Sequence, residues 1–177
     1  MAAADTDRMI RVDQAGEYGA TRIYAGQLAV LGERGPHATE IRGMAAQEDV
    51  HLARFDALIA ERGVRPTVLQ PFWSVAGFAL GAATALIGPK AAMACTAAVE
   101  TEIDLHYTRQ LEELEAAQAD GQGDPELAGM IDTFREEERE HRDAALEAGA
   151  EQAPAYPLLS GAIRLGCRMA IRLSERL

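Results

Sequence analysis

Apolar residues recur at steps of three and four along most of the chain, which predicts amphipathic helices over about 8–33, 37–62, 90–119, 125–148 and 157–175. The stretch from Gly32 to Pro36 separates the first two. Asp120-Gly121-Gln122-Gly123-Asp124-Pro125 supplies a later turn, and Pro154 and Pro157 open the last helix. Positions 66–89 break the pattern with 24 consecutive uncharged residues, among them Phe72, Trp73, Val75, Phe78, Leu80, Leu86 and Ile87. Pro71, Gly77, Gly81 and Gly88 also fall there, so this element is expected to be interrupted. Alternating β-branched runs and Asn-Gly hairpin turns are absent, while alanine occurs 35 times. The expected fold is all-α, with six helices, four of them long.

With 177 residues, 48% hydrophobic and 25% charged, the chain has the makings of one folded domain over 1–177. The net charge of −11 argues against a nucleic-acid partner, whose phosphates are held by clustered Lys and Arg. Cys95 and Cys167 have no C-x-x-C spacing, so neither a disulfide framework nor a zinc ribbon is expected. From Met1 to Arg8 no apolar segment follows a basic start, and the reading is of no export or organelle leader.

Chemistry enters with the histidines. Glu48-Asp49-Val50-His51 and Glu138-Arg139-Glu140-His141 each set a glutamate three residues before a histidine. On a helix such positions lie about 60° apart around the axis, so both side chains can reach one ion. Both pairs sit on apolar stripes, with Ile41, Met44, Phe55 and Leu58 in one case and Leu127, Ile131, Phe134 and Ala145 in the other. The other two long helices each add an inward acid. Glu17 lines up with Ile10, Tyr24 and Leu28, and Glu100 with Ile103, Tyr107 and Leu111, whereas Glu102 aligns with Arg109 and Glu113 and reads as outward. Gly16 and Gly19 flank Glu17, which suggests a close approach by another backbone or by a ligand.

Four inward carboxylates and two inward imidazoles would be costly if unpaired, and two divalent cations would balance them. The order of lone Glu, Glu-x-x-His, lone Glu, Glu-x-x-His is that of ferritin-like di-iron and di-manganese carboxylate bundles. The expected metal ligands are therefore Glu17, Glu48, His51, Glu100, Glu138 and His141. Glu137, four before His141, is a competitor for Glu138 but aligns with Glu126 and reads as more exposed. His37, beside Pro36 in a turn, is not expected to be a ligand. His106, about 120° around the helix from Glu100, reads as solvated, with a role beside the site or on an electron path as the alternative. Tyr24 and Tyr107, seven residues after Glu17 and Glu100, either line the site as catalytic residues or pack the core.

Several segments resemble the demethoxyubiquinone hydroxylase family. They are Arg11-Val12-Asp13-Gln14-Ala15-Gly16-Glu17-Tyr18-Gly19-Ala20 with Arg22-Ile23-Tyr24-Ala25-Gly26-Gln27, Val64-Arg65-Pro66-Thr67-Val68-Leu69, Gly77-Phe78-Ala79-Leu80-Gly81, Ala92-Met93-Ala94-Cys95-Thr96 through Glu100, and the closing Leu173-Ser174-Glu175-Arg176-Leu177. The resemblance implies a di-iron monooxygenase whose ligands match the six residues above one for one. It implies insertion of one oxygen atom from dioxygen into the ring of a polyprenylated demethoxyubiquinol in ubiquinone biosynthesis. It also implies a lipid-binding accessory protein as partner. A ferritin-like iron-handling protein or another di-metal oxidoreductase would share the ligands and is the alternative. No G-x-G-x-x-G follows a strand, so electrons would arrive from loosely bound NADH, a separate reductase or the quinol itself.

Two segments suggest contact with a membrane surface. Alanine and glycine give 66–89 little insertion energy, so a span is not expected and an interfacial segment around Phe72, Trp73, Phe78 and Leu80 is. In 157–177, Arg164, Arg168, Arg172 and Arg176 form a basic stripe beside Leu158, Ile163, Leu165, Met169 and Leu173. The stripe would hold the protein to anionic lipid or pair with its own acidic helices. The expected location is the cytoplasmic side of the inner cell membrane, as a peripheral protein.

Overall fold

A computed structural model describes residues 5–177, so the leader reading at Met1 to Ala4 lies outside the described residues. The chain forms α1 (Thr6–Leu31), α2 (Ala38–Arg62), α3 (Gln70–Ile87), α4 (Pro89–Ala119), α5 (Pro125–Glu147) and α6 (Tyr156–Ser174), with one 3-10 turn at Ala150–Gln152. No strand occurs among the described residues. The all-α helix bundle expected from periodicity is what forms.

Local chemistry sets the helix ends. Asp5 accepts a hydrogen bond from the Arg8 amide at 3.1 Å, and Asp124 accepts one from the Leu127 amide at 3.0 Å, so each caps a helix N-terminus. Gly32 and Gly63 end α1 and α2 at positive φ, where a side chain would be strained. Pro157 stands in the first turn of α6, where its missing N–H removes no helical hydrogen bond.

The segment at 66–89 departs from expectation, since α3 runs unbroken through its glycines. Pro71 occupies the first turn, Gly88 lies beyond the end, and the two interior glycines face α1. A Cβ on Gly77 would lie 2.8 Å from the Gly19 carbonyl oxygen, and one on Gly81 would collide with the Ile23 carbonyl. In return, a Cβ on Gly26 would collide with the Phe78 carbonyl. These glycines let two helix backbones touch. Gly16 and Gly19 themselves face open space, since a Cβ at either would meet nothing within 4 Å.

Helices α1, α2, α4 and α5 enclose the interior, which is layered along the bundle. One apolar cluster gathers Ala20, Tyr24, Ile41, Met44, Met93, Ala97 and Ala145, and the other gathers Ile10, Phe55, Tyr107, Leu114, Ile131 and Phe134. On every one of these helices the predicted ligands fall between the two clusters. Each large side chain buried there contributes about 1.5–3 kcal/mol, and that offsets the cost of a polar layer between them.

Helices α3 and α6 cover one side. α6 is fixed by a buried carboxylate, because Glu102 is only 1% exposed and its Oε1 accepts from Arg164 Nε at 2.6 Å and Arg168 Nη1 at 2.8 Å. This corrects the outward reading of Glu102: Arg109 and Glu113 further along its stripe are exposed, but α6 covers α4 at Glu102 itself. It also assigns half of the basic stripe to the protein's own acid, while Arg172 and Arg176 have no ion pair among the described residues. Between α1, α3, α4 and α6 lies a cavity of about 500 Å³ with an almost wholly apolar lining, including Gly16, Ile23, Trp73, Leu80, Val99 and Ile163. Gly16 and Gly19 open onto it.

Candidate metal centre

The six predicted side chains converge. Glu17, Glu48, His51 and Glu138 offer ligand atoms all within 4.8 Å of one another, and so do Glu48, Glu100, Glu138 and His141. The two groups share Glu48 and Glu138. Two neighbouring cations could therefore share Glu48 and Glu138, with Glu17 and His51 on one side and Glu100 and His141 on the other. All six residues are buried.

Both imidazoles turn Nδ1 inward. His51 Nδ1 lies 3.0 Å from Glu138 Oε1 and 3.6 Å from Glu17 Oε2, and His141 Nδ1 lies 3.1 Å from Glu48 Oε1 and 3.3 Å from Glu138 Oε2. None of these inward atoms has a hydrogen-bond partner. Glu17 Oε2, both oxygens of Glu48 and of Glu138, Glu100 Oε2 and the two Nδ1 atoms are all buried and unpaired. Buried polar atoms are ordinarily satisfied, and eight orphans pointing at a common volume fit a pair of divalent cations. The donor set of carboxylate oxygen and imidazole, without thiolate, suits iron, manganese or zinc.

The outer atoms, by contrast, are held. His51 Nε2 lies 2.6 Å from Glu137 Oε2, and His141 Nε2 lies 3.1 Å from Gln47 Oε1. Glu137 is thus not a rival ligand to Glu138 but a support behind His51. Tyr24 donates to Glu100 Oε1 at 2.7 Å, and Tyr107 donates to Glu17 Oε1. Neither tyrosine is merely core packing. Each leaves the second oxygen of its carboxylate free to face inward, as supporting groups do around metal sites.

The ionisation states follow from crowding. Burial, and then the charge of Glu138, hold the carboxyls of Glu48 and Glu100 well above the ordinary range. Burial would raise Glu138 too, but the imidazoles of His141 and His51 that face it outweigh that and hold it well below the ordinary carboxylate range. Burial disfavours charge on His51 and His141, yet the facing carboxylates override it and raise both. Burial, followed by the neighbouring carboxylate charges, also raises Tyr24 and Tyr107 well above the ordinary phenol value, so both keep their donated proton.

One neighbour differs from the sequence reading. His106 is buried, not solvated, with Nε2 3.0 Å from Asp13 Oδ1, and Gln110 Nε2 donates to the same oxygen at 2.9 Å. Asp13 stands one turn before Glu17 on the same face of α1, which was the available signal. His37 is where it was expected, in the turn before α2, paired with Glu40 at 2.7 Å.

Comparison with known proteins gives the family. The family model described as ubiquinone biosynthesis protein COQ7 matches residues 4–174. A 3-demethoxyubiquinol 3-hydroxylase of Rhodospirillum rubrum is 59% identical over 174 residues, covering 98% of this chain and 79% of the relative. A mitochondrial NADPH-dependent 3-demethoxyubiquinone 3-hydroxylase of Homo sapiens is 54% identical, with the same two coverages. The mitochondrial 5-demethoxyubiquinone hydroxylase of Saccharomyces cerevisiae is 44% identical, covering 99% of this chain and 79% of its own length. Matched over nearly its whole length, the chain belongs to the ubiquinone biosynthesis protein COQ7 family.

Proposed function

We propose that this protein hydroxylates the ring of a polyprenylated demethoxyubiquinol in ubiquinone biosynthesis, using a di-iron centre held by Glu17, Glu48, His51, Glu100, Glu138 and His141. The observation that carries the reading is the set of eight unpaired, buried ligand atoms beside an apolar cavity. Two iron ions so held supply dioxygen binding and reduction, the source of the inserted oxygen atom. Glu48 and Glu138, common to both groups, would be shared by the two ions. Tyr24 and Tyr107 stay protonated and fix the outer oxygens of Glu100 and Glu17, so the inner oxygens keep their aim. Their part is positioning.

The cavity takes the apolar substrate. Gly16 adjoins Glu17 and Val99 adjoins Glu100, so the lining runs alongside two ligands, and the apolar wall excludes water from a bound quinol ring. An iron-storage protein has no use for such a space. A reduced nicotinamide dinucleotide supplies the electrons from outside the fold. Residues 1–177 act as one ferritin-like domain.

The exposed apolar residues of the covering layer meet the membrane in which a polyprenyl chain dissolves. On α3, Phe72, Val75 and Leu86 are 61%, 71% and 76% exposed, and on α6 Leu158 is 78% exposed. α3 is also the one described helix long and apolar enough to cross a membrane by length and composition. Its packing against α1 favours a peripheral protein resting on the inner membrane from the cytoplasmic side. A lipid-binding accessory protein would share this face.

The test is oxygen labelling. Iron-loaded protein, supplied with reductant, labelled dioxygen and a demethoxyquinol, should give a hydroxylated product carrying one labelled atom by mass spectrometry. Label arriving only from water would overturn the reading.

A further inference from the structure

The two halves of the centre are built alike, and a mismatch of charge between them lies behind the histidines. In α2 the order is Gln47, Glu48, His51, and in α5 it is Glu137, Glu138, His141. In each helix the residue just before the bridging glutamate reaches across to the other helix's histidine. Gln47 stands behind His141 at 3.1 Å, and Glu137 stands behind His51 at 2.6 Å. The tyrosines repeat the crossed pattern, since Tyr24 of the Glu17 helix holds Glu100 and Tyr107 of the Glu100 helix holds Glu17. The inward donors match on the two sides, with one glutamate, one Nδ1 and the same two shared carboxylates. The supports differ in charge: a carboxylate behind His51, a neutral amide behind His141.

We infer that Glu137 and Gln47 are unequal positioning residues that make the two metal positions inequivalent, the one containing His51 binding a divalent cation more tightly than the one containing His141. A carboxylate accepting the Nε2 proton draws positive charge toward the outer edge of the imidazole and makes Nδ1 a stronger donor to a cation. An amide oxygen orients the ring equally well but carries no net charge. The shorter contact at His51 is the expected mark of a charge-assisted hydrogen bond. Glu137 is itself about one-third exposed, so solvent screens part of its effect without removing the contrast. Stacking of the His51 ring on Phe134, with centroids 4.0 Å apart, fixes the plane in which this donation occurs.

The inference rests on the proposed metal centre, and a metal titration separates the two. Metal-free protein is titrated with Co²⁺ under anaerobic conditions, followed by calorimetry and by the paramagnetically shifted proton signals of the two imidazole N–H groups. The parent should bind two ions with affinities separated by about 10- to 100-fold, the range over which outer partners tune metal sites, and the His51 signal should appear first. E137Q should weaken the tighter step and merge the two. Q47E should strengthen the weaker step and shift the His141 signal alone. The double exchange, Q47E with E137Q, should restore two separated steps with the order of the imidazole signals reversed, which damaged packing would not produce. Two ions bound with affinities that E137Q leaves unchanged would overturn the inference while leaving the centre standing. Binding of no cobalt by the parent would overturn the centre and the inference together.

Discussion

The interior layer and the covering layer depart from ordinary protein anatomy in opposite directions. Between α1, α2, α4 and α5 the protein buries six ionisable residues whose inward atoms lack partners. Across α3 and α6 it exposes Phe72, Val75, Leu86 and Leu158 to solvent. Buried polar groups and exposed apolar patches are the informative exceptions to normal burial. On the proposed function each marks a partner of matching chemistry, cations for the first and an apolar phase for the second. The lesson is that such a protein is stable only in part by itself, and the two layers should respond oppositely when their polarity is changed.

The strongest test attacks the interior. Glu48→Met should abolish hydroxylation and the binding of the metal pair. It should also stabilise the metal-free protein by about 1–3 kcal/mol, because two unpaired buried oxygens are removed. Thermal melts with and without metal check this, and a metal-free variant that melted below the parent would break the contrast. In the covering layer the sign reverses. Removing Arg164 and Arg168 together strands the buried Glu102 carboxylate and should cost about 3 kcal/mol in denaturant melts. Glu102→Gln should cost clearly less, since the two freed arginines can reach water.

Glycine substitutions sharpen the comparison at the seam between the layers. Gly81→Ala drives a Cβ into the Ile23 carbonyl and should destabilise by about 1–3 kcal/mol. Gly16→Ala meets open space and should gain up to about 1 kcal/mol from helix propensity. The smallest effect serves as a control remote from both layers. Asp124→Ala removes the α5 cap and should cost about 1 kcal/mol at neutral pH. Burial opposes ionisation of Asp124, but hydrogen bonds from Arg62 and the Leu127 amide prevail and lower its pKa. Its folded value therefore lies below its unfolded one, so the contribution is complete above the ordinary aspartate range and fades as pH falls through the folded value. The gap between variant and parent should close in acid.

Much of the interior was legible because helical periodicity places residues on faces, and a charged residue on an apolar stripe is conspicuous. Glu17, Glu48, His51, Glu100, Glu138 and His141 were all picked out that way, and the structure brings all six together. What stayed hidden depends on partners distant in sequence. Glu102 read as exposed because its own stripe holds Arg109 and Glu113, while the arginines that bury it come from α6. His106 read as solvated because Asp13 lies on another helix. Glu137 looked like a competitor, since nothing near it in the chain reveals His51 beyond it. In α3, glycines that signal breaks in isolation serve as contact points once α1 lies alongside. A local pattern gives the side of a helix, but which neighbour arrives there is settled by packing.

The touching backbones of α1 and α3 carry a mechanical implication. Where carbonyls of one helix rest in the glycine notches of the other, no pliable side chain lies between them to soak up a displacement. Glu17 sits only two residues before the Gly19 carbonyl that meets Gly77, so a push or tilt delivered to α3 would bear directly on the turn of α1 that carries a candidate ligand. Anchorage of that helix would then set the posture of the reaction chamber as well as its address.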